Sequence, residues 1–334
     1  MFAHSVTLVF YAIFSDSDAQ LLQLLANAYA PGTVKNIRSS IRLFLQFMIT
    51  HNLTIFPPDT VNIAKYYASL LSRLTAMGSL LNHQSSVATF YRLHGYQVDT
   101  ACIVFKLLNM SAKKSLSTTP AAKPPLELAH ILRFKDILDQ HNPTHLAFYN
   151  AVCIGFMATL RRSNICPPSV HLYNPDIHLR RQDIVFTPEG LIVVIRWSKT
   201  NQDSSKTFHI PIAYSGCQDF DPPSQFKQFT QAFPVAPHDP CFSFYQDGRL
   251  YVLTHPDLAR MLASFLANIG VQSQGFTTHS IRKGGASIIH RAGVPTELLK
   301  QHGTWQSDAY QVYLQHSYTQ KLSVSQAVYK LMNT

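Results

Sequence analysis

The chain has 334 residues, of which 46% are hydrophobic and 14% charged; this composition allows two domains with separate cores and excludes a disordered polypeptide. Lys and Arg outnumber Asp and Glu by 28 to 18, and this positive balance suits a polyanionic partner such as nucleic acid, although a basic protein without such a partner is an equal alternative. The five cysteines form no Cys-x-x-Cys pair and no zinc spacing with histidines, so we expect no disulfide framework, no metal and no secretion. The apolar residues 2–14 are too few to span a bilayer, so no membrane association is predicted.

Residues 1–112 predict a helical domain. Apolar residues recur at helical spacing from Val34 to Met48, and Asp59 is placed to cap a second helix after Pro57-Pro58. Two more helices are predicted over residues 80–93 and 101–110, which gives a small bundle with short connections.

One side of the helix that follows Pro31 is basic. Lys35, Arg38 and Arg42 are spaced by three and four residues, so they share a face of that helix. They are candidates for contacts to DNA phosphates, and the alternative is an ordinary solvated helix face.

A linker and a second domain follow the helical bundle. Residues 113–125 are rich in Ser, Thr, Ala, Lys and Pro and predict the linker, so the second domain covers residues 126–334. Its early part predicts helices over 126–140 and 145–159, and then a three-stranded antiparallel sheet from 183–186, 191–197 and 206–212. Helices are predicted again over 255–269, 280–292, 295–301, 307–315 and 321–332. The expected fold class is therefore mainly α with a small antiparallel β-sheet.

Four separated segments of the second domain carry residues suited to chemistry. They are residues 157–165 with Arg161, 197–201 with Lys199, 278–286 with His279 and Arg282, and 299–314 with Trp305 and Tyr313. Each segment alone has an ordinary structural explanation, because arginine pairs and loop lysines are usually solvated and a helical tyrosine is usually part of a core.

The order of these segments resembles the tyrosine recombinase (phage integrase) family over almost the whole chain. That order is Arg, Lys, His-x-x-Arg, a Gly-x-Trp turn and then Tyr. The resemblance implies that residues 1–112 form a helical core-binding domain that binds DNA and that residues 126–334 form a mixed α/β catalytic domain. The run Gly-x-Trp-x-Ser-Asp-Ala is most similar to recombinases of eukaryotic mobile elements, which implies a nuclear protein, or a cytoplasmic one if the source is not eukaryotic.

The resemblance also implies a reaction in which DNA is cleaved and rejoined through a 3′-phosphotyrosyl intermediate. Tyr313 is the implied nucleophile, and Arg161 and Arg282 stabilise the phosphate, because guanidinium groups grip its oxygens in a planar fork. Lys199 is the implied general acid for the leaving 5′-oxygen, and His279 is the base or hydrogen-bond relay. This scheme requires no cofactor and no metal.

The first arginine has an alternative. The family's first motif usually has Gly before Leu-Arg, where this chain has Thr159. Arg161 therefore rests on a short alignment, and Arg162 is the alternative.

The segment that leads to the nucleophile leaves further alternatives open. The position of a second histidine in the family aligns with Thr304 or with Trp305, and His302 lies close enough to replace either. Trp305 is expected to pack against the phosphate or to donate its indole N–H to it. Tyr310 shares a helical face with Tyr313, which is favoured because an aliphatic residue follows it.

The implied partner is double-stranded DNA, bound by a homo-tetramer that is a monomer or dimer when free. The predicted helix over residues 321–332 either docks on a neighbouring subunit, as in the family, or packs on its own. Two other functions compete with the recombinase: a recombinase-derived DNA-binding protein without catalysis, and a type IB topoisomerase that uses similar chemistry as a monomer.

Overall fold

A computed structural model of the chain describes residues 31–116, 123–198, 201, 205–305, 308 and 311. The chain divides into two compact units on either side of the Ala122–Lys123 bond. Several predictions lie outside the described residues: Lys199, Tyr310, Tyr313, the apolar segment 2–14, most of the helix over 307–315 and all of the helix over 321–332.

Four helices make up the described part of the first unit. They are α1 (Pro31–Thr50), α2 (Thr60–Leu70), α3 (Met77–Leu93) and α4 (Ile103–Ser115). Helix α1 packs on α2 and α3, and α2 packs on α4, around the fully buried side chains of Phe44, Tyr66 and Tyr91. Asp59 caps α2 as predicted, because its carboxylate accepts hydrogen bonds from the backbone N–H groups of the first turn.

Helix α4 is longer than the sequence predicts. It continues to Ser115, so its last turn includes Lys113 and Lys114, which the sequence assigns to the linker. Two cations in the last turn interact favourably with the negative end of the helix dipole and so favour the longer helix.

The second unit combines helices with two small sheets. Its helices are α5 (Leu128–Asp136), α6 (Pro143–Met157), α7 (Arg162–Ile165), α8 (Pro222–Ala232), α9 (His255–Asn268), α10 (Thr278–Arg291) and α11 (Thr296–His302), with 3-10 turns at Val170–Leu172 and Arg181–Asp183. Its strands are β1 (Ile184–Thr187), β2 (Gly190–Ile195), β3 (Phe208–Ala213), β4 (Ser243–Gln246) and β5 (Arg249–Val252).

Helix α6 is the centre of this unit. Every residue from Ala147 to Phe156 is buried, which is the pattern of a helix surrounded by other elements on all sides. Helices α5, α8 and α10 pack around it. None of the helices in the described part of the chain combines the length and apolar character that a membrane span requires.

The predicted three-stranded sheet is present, with antiparallel strands in the order β1-β2-β3. Asp183 precedes β1 and accepts hydrogen bonds from Arg180 and from Arg196, which follows β2. Burial alone would raise the pKa of Asp183, but the hydrogen bonds from the two arginines hold it below its usual value. This charged cluster ties the start of β1 to the end of β2, where the loop containing Lys199 begins.

Helix α8 and the hairpin of β4 and β5 are among the elements that the sequence did not predict. Helix α8 lies in the Pro-rich segment 221–240, where Pro222 and Pro223 occupy its first turn. Strands β4 and β5 form a hairpin around Asp247 and Gly248, both of which have positive φ.

Candidate active site

Arg282 lies on α10 and is held on three sides. Its side chain donates one hydrogen bond to the carbonyl of Thr159 and another, of 2.7 Å, to the carbonyl of Gly303. Its Cζ atom lies 4.0 Å from the ring centroid of Trp305, which is a cation–π contact. Arg282 is only 2% exposed, so its guanidinium has a fixed position in the core of this site.

A pair of glycines lets α10 approach α6 and the segment before α5 closely. A Cβ atom on Gly284 would lie 1.8 Å from the carbonyl oxygen of Leu126, and one on Gly285 would lie 1.9 Å from that of Phe156. Neither position tolerates a side chain without a backbone shift. The two glycines therefore set the position of α10, and with it the positions of His279 and Arg282.

Two threonines with left-handed backbones end the helices that face Arg282. Thr159 follows α6 with φ 47°, and Thr304 follows α11 with φ 54°. In both turns the residue after the threonine donates its N–H to the carbonyl five residues earlier, which is the Schellman arrangement. Glycine is the usual residue at such positions, so each β-branched threonine carries backbone strain. The left-handed backbone of Thr159 accounts for the family's glycine at this point.

Arg161 contacts the second of these turns. It is the N-cap residue of α7, and its Nη1 donates to the hydroxyl of Thr304 over 3.2 Å. Arg162 is exposed at the start of the same helix. Because Arg161 and Arg282 both bind the 303–305 turn, the geometry favours Arg161 over Arg162 as the partner of Arg282.

His279 lies one turn before Arg282 on α10, and Thr277 caps this end of the helix. Burial lowers the pKa of His279, and the neighbouring cations Arg282, Lys123, Arg161 and Lys283 lower it further. The imidazole is therefore neutral near neutral pH, which is the form that can accept a proton.

His302 binds the backbone of α6, because its Nε2 donates to the carbonyl of Met157 over 2.7 Å. Burial lowers the pKa of His302, so the ring is neutral and one nitrogen is committed to this backbone contact. Of the other two residues that compete for the family's second histidine position, Thr304 contacts Arg161 and Trp305 contacts Arg282.

The loop between β2 and β3, which contains Lys199, is anchored on both sides. Asn201 Nδ2 donates to the carbonyls of Arg196 and Lys206 over 2.9 and 2.6 Å, and its backbone forms a bridge with Ser198. Ser198 and Asn201, the described residues nearest to Lys199, are both buried. Lys199 itself lies outside the described residues.

Asn164 connects this loop to the arginine segment, and sequence reasoning missed it. Its Nδ2 donates to the carbonyl of Trp197 over 2.8 Å, and its side chain lies on α7, one turn after Arg161. The sequence shows only an asparagine three residues after Arg161, and its partner, Trp197, is 33 residues away. The start of the Lys199 loop and the Arg161 segment are therefore joined by a hydrogen bond.

The site is suited to an anion. Among the residues that the structure describes, no group of three or more His, Cys, Asp or Glu side chains is arranged to hold a metal ion. The side chains that converge here are two guanidinium groups and a neutral imidazole, which can bind phosphate oxygens and exchange a proton.

The three residues predicted to bind DNA in the first unit lie together on α1. Lys35, Arg38 and Arg42 are all exposed along one side of this helix. Their side chains are therefore available to a partner, and their role in DNA binding stays a prediction.

Solved structures of DNA-bound recombinases and integrases share this fold. A XerH site-specific recombinase bound to a palindromic difH substrate aligns with a TM-score of 0.64 at 12% identity, over 94% of this chain and 84% of that one. The Tn1549 transposon integrase in complex with a circular intermediate DNA aligns with a TM-score of 0.63 at 14% identity, over 96% and 99%. A lambda integrase dimer bound to a COC' core site aligns with a TM-score of 0.60 at 13% identity, over 89% and 93%.

The sequence comparisons are weaker. The chain is 22% identical over 182 residues to an integrase/recombinase XerD homolog from Selenomonas ruminantium, an alignment that covers 53% of this chain. The chain spans half the length of that relative. No protein-family model matches the sequence. The mostly helical architecture with small antiparallel sheets matches the tyrosine recombinase catalytic-domain fold of these solved structures, as the sequence predicts.

Proposed function

We propose that this protein is a site-specific DNA recombinase that breaks and rejoins strands through a covalent link between Tyr313 and a DNA 3′-phosphate. The observation that carries this proposal is the convergence of Arg161 and Arg282 on one turn, residues 303–305, with His279 one helical turn away. A buried guanidinium group and a second one bonded to the same turn, next to a neutral imidazole, suit a reaction in which negative charge develops on phosphate oxygens.

In the proposed reaction the Tyr313 oxygen attacks the phosphorus while its proton passes to His279. The bond between phosphorus and the 5′-oxygen breaks, and Lys199 donates a proton to that oxygen, which leaves as a hydroxyl. Arg161 and Arg282 stabilise the charge on the non-bridging oxygens. The phosphotyrosyl link keeps the phosphodiester energy, so another 5′-hydroxyl can reverse the step without ATP.

The fixed position of Arg282 supports a catalytic role over a purely binding one. A surface arginine that only attracts DNA needs no orientation, but a guanidinium that stabilises a transition state acts best when it is preorganised. The two carbonyl contacts and the Trp305 ring orient Arg282 in this way. The strained backbones of Thr159 and Thr304 also fit a functional site, because such sites often keep a required geometry at some loss of stability.

The proposed partner is double-stranded DNA, because the similar structures above contain recombinases or integrases bound to DNA. The exposed face of Lys35, Arg38 and Arg42 fits this partner through contacts to backbone phosphates. Assembly as a tetramer on DNA, an origin in a eukaryotic mobile element and a nuclear location are further parts of this proposal that follow from the motif resemblance alone.

A nicked suicide duplex tests the proposed function. Purified protein is incubated with nicked duplexes from a random library, and covalent complexes are isolated under denaturing conditions. The wild type should form an adduct, and Tyr313→Phe should abolish it without weakening DNA binding, whereas Tyr310→Phe should retain it. DNA binding without any adduct would instead favour the alternative function, that of a recombinase-derived protein that binds DNA without catalysis.

A supercoiled plasmid without a recombination site separates the recombinase from the topoisomerase. A type IB topoisomerase would relax this plasmid as a monomer over many sequences. We expect no relaxation, because the proposed recombinase cleaves only at its own site.

A further inference from the structure

The chain that enters the second unit is fastened along α10. Lys283 Nζ donates to the carbonyl of Lys123 over 2.7 Å, and the N–H of Leu126 donates to the carbonyl of Ser280 over 2.9 Å. The carbonyl oxygen of Leu126 also occupies the space that a Cβ atom added to Gly284 would need. Residues 123–126 therefore have a fixed path beside the helix that carries His279 and Arg282.

Lys283 has an unusual position for a lysine. It is 7% exposed, and burying an ammonium group is costly unless a hydrogen-bond partner satisfies it. Its partner is the backbone of Lys123, and it lies one turn after His279 on the same face of α10. A buried cation thus holds the backbone of Lys123 near the imidazole.

The side chain of Lys123 is exposed, although its backbone is held in place. It belongs to the group of cations that lower the pKa of His279, together with Arg282, Arg161 and Lys283. Its ammonium therefore acts on the same imidazole as the two arginines of the site, while it stays open to solvent and to a ligand.

We propose that Lys123 binds a DNA backbone phosphate next to the one held by Arg161 and Arg282, and that Lys283 is the positioning residue that holds it there. This inference rests on the proposed function, because it requires DNA at the site. DNA presents a continuous row of phosphates, so an exposed cation beside the scissile-phosphate site meets a neighbouring phosphate. The contact at Lys123 would then position the DNA relative to the place where the chain enters the second unit.

Salt-dependent DNA binding tests the contact. The full chain is titrated with a short random-sequence duplex at several salt concentrations, and the slope of log K against log salt is measured. For Lys123→Ala we expect the slope to fall by about one and the affinity about fivefold at moderate salt, because one phosphate contact is lost. Lys123→Arg should keep the wild-type slope, because it keeps the charge.

Lys227→Ala is the matched control. Lys227 is also exposed, but it lies on α8, which packs on α6 and the sheet. This variant should keep the wild-type slope. An unchanged slope in Lys123→Ala, or an equal fall in Lys227→Ala, would overturn the inference.

A titration of His279 tests the placement without DNA. NMR of the free protein should give a higher pKa for His279 in Lys123→Ala than in the wild type, because a nearby cation has been removed, and no change in Lys227→Ala. A lost phosphate contact with an unchanged His279 pKa would place Lys123 away from the active site and overturn the inference. A wild type that shows no salt-dependent duplex binding would instead contradict the proposed function itself.

Discussion

Arg282 and Arg38 are chemically identical cations in very different settings. Arg282 is almost fully buried, bonded to two backbone carbonyls and covered by the Trp305 ring. Arg38 lies exposed on α1 between Lys35 and Arg42. The first has one orientation imposed by the fold, whereas the second lies on an exposed helix face.

Under the proposed function, the difference predicts separate roles for the two sets of cations. A preorganised guanidinium stabilises charge that develops in a transition state, so its removal slows the chemical step. Exposed cations contribute mainly through counterion release, so their removal weakens binding in a salt-dependent way.

Replacing Arg282 with lysine should slow adduct formation by about a thousandfold, because lysine keeps the charge but not the planar fork. Duplex affinity should stay close to that of the wild type. Single-turnover cleavage of a nicked duplex measures the rate. Arg260→Lys is the control, since Arg260 is exposed on α9, and it should behave as the wild type. A rate for Arg282→Lys within tenfold of the wild type would contradict the proposed role of Arg282 in the chemical step.

Gly285→Ala should destabilise the protein by about 3 kcal/mol, because the new Cβ would meet the Phe156 carbonyl in a packed core. Urea unfolding measures the change. Gly78→Ala on α3 is the control, because a Cβ there has nothing within 4 Å and alanine favours the helix. If both variants were equally stable, the close contact between α10 and α6 would not be fixed as described.

Thr304→Gly should have opposite effects on stability and activity. Relief of the left-handed backbone should stabilise the protein by about 1 kcal/mol. Loss of the hydroxyl that contacts Arg161 should slow adduct formation about tenfold. The exposed Asp247, with φ 50°, provides the control, because Asp247→Gly should leave the cleavage rate unchanged. A Thr304→Gly protein with full activity would show that Arg161 does not need this contact.

Arg38→Ala should have the smallest effect. Duplex affinity should fall about threefold and the salt slope by about one, because one exposed phosphate contact is removed. The cleavage rate at saturating DNA should not change. Lys106→Ala, an exposed lysine on α4, is the control for a general loss of positive charge. A slower cleavage step in Arg38→Ala at saturating DNA would contradict the prediction that the exposed cations act on binding alone.

Periodicity in the sequence predicted the helical bundle and the three-stranded sheet, because those elements have strong apolar patterns. The hairpin of β4 and β5 was missed, although Asp247-Gly248 is a typical two-residue turn, because the Pro-rich segment before it suggested a loop. Helix α8 was missed for a related reason: its prolines lie in the first turn, where they favour a helix start.

Order along the chain indicated that Arg161, Arg282 and His279 belong to one site, and the structure brings them together, but the order did not show how they are held. The contacts of Arg282 come from the ends of α6 and α11, which are far from it in sequence. Lys123 was assigned to a linker because the composition of residues 113–125 is that of a solvated connector. Its link to Lys283 depends on a tertiary contact that no local pattern encodes.

The residue that becomes linked to DNA can be identified directly. The covalent complex from a nicked duplex is digested with protease and nuclease, and the modified peptide is sequenced by mass spectrometry. We expect a 3′-phosphonucleotide on Tyr313. A nucleotide on Tyr310 or on any other residue would contradict the proposed role of Tyr313.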